Sequence, residues 1–77
     1  MTASTIIIFT FETTHQALWA EEVAEERGIP AEVAPAPPEV DAKCGLSLRT
    51  PESHADRMAA AFTEEGIEFG RVEAPAA

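Results

Sequence analysis

The chain has 77 residues, with five Lys+Arg against fourteen Asp+Glu and a formal net charge of −9. That length makes one domain spanning residues 1–77, which buries only about 60–65% of its unfolded surface and cannot house a core and an enclosed active site together. So acidic a chain is repelled by phosphate backbones and anionic membranes, which counts against both as partners.

The single cysteine allows no intramolecular disulfide framework, and no Cys pair is present for a zinc knuckle. Residues 1–11 lack a basic n-region and a cleavage site, and Ile6-Ile7-Ile8-Phe9 is too short to span a bilayer. A cytoplasmic protein with a reduced thiol is the expectation. Most acids are Glu in helical stretches: solvated helix faces are the plain reading, a basic partner surface the sharper one.

The first element is a strand over about 5–11, Thr5-Ile6-Ile7-Ile8-Phe9-Thr10-Phe11, β-branched and aromatic throughout and suited to the middle of a sheet. Thr13 with Gln16 three residues on is a capping-box pattern, so a helix over about 14–27 follows. Ala17, Ala20, Val23 and Ala24 recur at helical spacing as its inner face. Gly28 stands where a helix ends in a left-handed residue.

A second strand, over about 30–36, carries prolines that cannot donate to a ladder, so it belongs at an edge. Pro38 to Lys43 is a connecting loop. Gly45-Leu46-Ser47-Leu48-Arg49 alternates and reads as a third strand over 45–49. Thr50 as N-cap and Pro51 as first helical residue open a second helix over about 51–65. Ala55, Met58, Ala59 and Phe62 form its apolar stripe. A final edge strand over about 67–73 and a loose tail over 74–77 complete the chain.

The halves share a plan. Glu26-Arg27-Gly28-Ile29 matches Glu64-Glu65-Gly66-Ile67 at an offset of 38, which also carries Ala17 to Ala55 and Ala24 to Phe62. Strand, helix, Gly-Ile, strand occurs twice. A doubled βαβ in so short a chain is an α+β domain of ferredoxin-like βαββαβ type. It implies a four-stranded antiparallel sheet, order 4-1-3-2, with two helices on one face.

That topology has a chemical consequence. The turn between strands 2 and 3 lies at the end where strand 1 exits, so Cys44 is expected near the start of the first helix. Free N–H groups and the positive dipole end there favour an anion, hence a thiolate. Lys43 could add positive charge, Gly45 leaves room for an approaching group, and His15 is a possible proton partner.

Each residue also has a plainer reading. A lone cysteine is often a small buried hydrophobe. Gly45 relieves a turn, and His15 stands in solvent beside the cap. His54 falls at the opposite end and reads as surface. Trp19, off the centre of the apolar face, packs on the sheet margin or anchors a partner. Cys44 with His15 is too few ligands for a structural metal site, and no metal or cofactor is expected.

Several segments together resemble the small bacterial domains called selenium/sulfur carrier protein-like. They are Phe11 to Leu18, Gly28-Ile29, Pro37-Pro38-Glu39-Val40, Cys44-Gly45-Leu46-Ser47-Leu48-Arg49 and Glu65-Gly66-Ile67. The resemblance implies that Cys44 carries sulfur or selenium, with Thr14-His15 in its surroundings. It implies a carrier rather than a stand-alone enzyme, loaded by a donor such as a cysteine desulfurase and unloaded by an acceptor protein. One departure is Pro38, where a basic residue is expected; Lys43 must then supply the charge. The competing classes are a small adaptor or regulatory module with a structural Cys44, and a thiol redox sensor using Cys44 and His15. The sensor reading lacks a resolving cysteine.

Overall fold

The computed structural model describes residues 5–36 and 45–75. Its elements are β1 (Thr5–Thr10), α1 (Thr14–Glu26), β2 (Glu32–Pro35), β3 (Leu46–Pro51), α2 (Glu52–Glu65) and β4 (Gly70–Pro75). All strand pairs are antiparallel, in the order β2-β3-β1-β4. Counted from the β4 edge, that is 4-1-3-2. The proline-bearing β2 is an edge, as its missing N–H donors require.

Alternation along β1 assigns the two faces of the sheet. Ile7 and Phe9 join Leu48 in one core with Ala17, Ala20, Val23 and Ala24 of α1 and Ala55, Met58, Ala61 and Phe62 of α2. Both helices therefore cover the Ile7–Phe9 face. Small residues on α1 let the helix approach closely, while α2 fills the remaining space with Met58 and Phe62. Four phenylalanines, Phe9, Phe11, Phe62 and Phe69, make edge-to-face contacts with centroids 5.3–5.8 Å apart. Phe62 takes part in three of these contacts, so truncating it to Ala removes about 3–5 kcal/mol. On the other face Ile8 pairs with Arg49 and Val72.

The sequence repeat is also a structural one. The Ile29 N–H donates to the Ala24 carbonyl and the Ile67 N–H to the Phe62 carbonyl, both at 2.9 Å. Gly28 and Gly66 take φ of 68° and 81°, and each following isoleucine is buried. These are paired Schellman-type ends. Arg27 bridges the two helix ends, reaching Glu64 at 2.9 Å and Glu65 at 3.4 Å. The hydrogen bond to Glu64 raises the Arg27 pKa above its ordinary value.

Four local expectations need correction. Thr50 is not the N-cap of α2: it lies within β3, and its buried hydroxyl donates to the Pro30 carbonyl at 2.7 Å. Pro51 takes the cap position, with no side-chain cap bond. The fourth strand starts at Gly70 rather than 67, because Ile67 and Phe69 are drawn into the core before pairing begins. It runs to Pro75, so Ala74 and Pro75 belong to the sheet and not to a tail. The capping box at Thr13 is half made. The Gln16 N–H donates to Thr13 Oγ1 at 3.1 Å, but Gln16 Oε1 has no partner.

Candidate functional site at the start of α1

β1 ends at Thr10, which pairs with Ser47 at the start of β3; Ser47 in turn pairs with Ala34 near the end of β2. The Ala36 N–H donates to the Gly45 carbonyl at 2.9 Å. Both ends of the β2–β3 connection therefore stand at the pole where α1 begins. Cys44, Lys43 and Pro38 lie outside the described residues, and so do their expected positions.

At that pole, Thr13 caps α1 in extended conformation. Its hydroxyl takes the Gln16 N–H and its carbonyl the Ala17 N–H; among the described residues, the Thr14 and His15 N–H groups have no partner. No carboxylate occupies the first turn to offset the positive end of the dipole. Thr14 and His15 are exposed. This arrangement can hold a small anion or a thiolate by neutral N–H donors, without a pocket.

Gly45 is exposed with φ of 77°, and among the described residues beyond its chain neighbours nothing lies within 4 Å of the place a Cβ would occupy. Its role is conformational: the chain enters β3 through a left-handed residue. The rest of the Cys-Gly-Leu-Ser-Leu-Arg element is strand. Leu48 is core, and the Ser47 hydroxyl ties β3 to the Ala34 carbonyl at 3.1 Å. Arg49 points to the face away from the helices, 3.9 Å from Glu32, and takes no part at this pole.

His54 opens α2 at the opposite pole, where Pro51 pairs with Ile6. It is half-buried rather than a free surface residue, and its Nδ1 is shielded without a hydrogen-bond partner.

Trp19, read from the sequence as packing on the sheet margin or anchoring a partner, is exposed together with Leu18. Among the described residues, His15, Leu18, Trp19 and Glu22 line a depression of about 550 Å³ beside α1. Leu18 is 51% exposed and Trp19 36%. The signal for it is the spacing i, i+3, i+4, i+7, opposite the alanine face.

These features define a small α+β domain in which Ala36, Gly45 and the start of α1 stand at one pole. A family model described as "Putative Se/S carrier protein-like" matches residues 7–72, most of the chain. The chain belongs to this family. No curated protein and no solved structure matches it. Among the described residues, no helix is long and apolar enough to cross a membrane.

Proposed function

We propose that the protein is a carrier of sulfur or selenium, held on Cys44 as a persulfide or perselenide and passed to an acceptor. The observation that carries this reading is the family match across residues 7–72, a span that includes the Cys44-Gly45 element. The antiparallel βαββαβ arrangement is read as the ferredoxin-like plan, and it brings Ala36 and Gly45, the described residues on either side of the segment that contains Cys44, to the pole where α1 begins. The Thr14 and His15 N–H groups there suit an anionic cargo, and Lys43 would add charge. In a reducing compartment such as the cytoplasm the thiol stays available.

Loading is thiolate exchange. The Cys44 thiolate attacks the outer sulfur of a donor persulfide, the donor S–S bond breaks, and its electron pair leaves on the donor thiolate. Unloading is the same step with an acceptor thiolate attacking Cys44–S–SH. No oxidant or reductant is consumed, and no resident cofactor or metal takes part. A cysteine desulfurase is the fitting kind of donor.

Intact mass after exposure to glutathione persulfide tests the reading. The wild type should gain one sulfur, and Cys44→Ala none. A selenium donor used in parallel distinguishes the chalcogen. Equal gain in both proteins, or gain in neither, overturns the carrier assignment.

A further inference from the structure

We propose that the outward stripe of α1, Leu18 and Trp19 between His15 and Glu22, docks the protein that donates the chalcogen. Its contact face would be an apolar pocket rimmed by Lys and Arg. The inference rests on the carrier reading, since it names what that carrier meets.

The stripe is apolar where solvent alone would need no apolar group. Ala17, Ala20, Val23 and Ala24 already satisfy the core, yet the opposite side presents exposed Leu18 and Trp19. Positions 15, 18, 19 and 22 have the spacing by which a helix lays anchors into a groove, and tryptophan is a common anchor.

The charge that the helix itself carries has one sign. Between Thr14 and Glu26 the helix carries Glu21, Glu22, Glu25 and Glu26 and no Lys or Arg. Glu22, Glu25 and Glu26 are exposed. A complementary partner surface is basic, and attraction to a chain of net charge −9 steers it in.

The stripe also starts at the right pole. His15 is in the first turn of α1, beside the anchors of the β2–β3 connection, and Trp19 is one turn, about 5.4 Å, further along. A donor seated there lies at the same pole as Ala36 and Gly45, which flank the segment containing Cys44. The donor is the committed partner because cysteine's sulfur becomes transferable only on an enzyme's own thiol. An acceptor need not be a protein.

The test compares two routes onto Cys44 in the full chain: a cysteine desulfurase with cysteine, and glutathione persulfide. Leu18→Ser and Trp19→Ala should slow loading from the desulfurase about tenfold or more, the loss expected for a truncated anchor. Loading from glutathione persulfide should be unchanged, and urea-unfolding midpoints close to wild type should show that the variants are folded. Val72→Ser, an exposed apolar position on the opposite sheet face, should behave as wild type by both routes. Raised salt should slow only the desulfurase route. Unchanged desulfurase loading in both α1 variants overturns the docking surface and leaves the carrier reading standing. So does a wild type loaded by glutathione persulfide but not by the desulfurase. A wild type loaded by neither route overturns the carrier reading, and the docking surface falls with it.

Discussion

The hydroxyl of Thr50, next to last in β3, donates to the carbonyl of Pro30 at 2.7 Å and so fastens β3 to the exit of α1. Thr50 is 1% exposed, so the bond is shielded from water. Thr50→Val keeps the shape and leaves the Pro30 carbonyl without this donor. We expect a loss of about 1–2 kcal/mol in urea unfolding, with Thr50→Ser close to wild type. Equal midpoints for Val and wild type would show that the bond contributes nothing.

Gly70 opens β4 opposite Thr10, and a Cβ at position 70 would lie 2.6 Å from Thr10 Oγ1. Gly70→Ala should therefore cost about 1–3 kcal/mol by overpacking. Thr10→Ala removes the obstructing atom. The double variant should recover much of the loss, giving a coupling energy of about 1 kcal/mol in a double-mutant cycle. Strict additivity would rule out the clash as the cause.

The architecture is legible in the sequence because three independent signals agree. They are the prolines of β2, the Ile-rich β1, and the Gly-Ile repeat at 28–29 and 66–67, which forms paired helix ends. Local patterns mislead where tertiary contacts override them. Thr50-Pro51 has the chemistry of a helix start, but Thr50 finds a buried acceptor at Pro30, and strand pairing continues through Pro51. Ile67 and Phe69 look like strand residues and are apolar for another reason: they close the core beneath Phe62 and Phe9. At the candidate site the topology is readable, since Ala36, Gly45 and α1 meet at one pole. The Leu18–Trp19 stripe is harder to read, because a lone tryptophan fits a sheet margin equally well. Only its exposure beside Leu18 and Glu22 sets it apart.

The half-made capping box separates two contributions. Thr13→Ala removes the acceptor of the Gln16 N–H and should cost about 1 kcal/mol. Gln16→Ala deletes a side-chain oxygen that has no partner, so its cost should be much smaller. Chemical denaturation of both variants checks the ranking. A larger loss for Gln16→Ala would mean that the reciprocal bond forms in solution.

His54 offers a second polar atom buried without benefit. Its Nδ1 is shielded and unpartnered at the start of α2. His54→Leu removes that desolvated nitrogen and keeps an apolar side chain of similar reach. Thermal unfolding should show equal or higher stability, by up to about 1 kcal/mol. A marked loss would reveal a hydrogen bond that this nitrogen makes in solution.

Gly45 decides between room and backbone as the reason for a glycine beside Cys44. Its φ of 77° is left-handed, while among the described residues the space around a Cβ there is open. A side chain is therefore opposed by conformation and not by collision. Gly45→Ala should destabilise by about 1–2 kcal/mol, and Gly45→Asn by less, because asparagine tolerates this region. Loading of Cys44 by glutathione persulfide should follow the same order, with Asn nearer to wild type. If instead loading falls with side-chain size, so that Asn is worse than Ala, the glycine is there to admit the incoming donor rather than to turn the chain into β3.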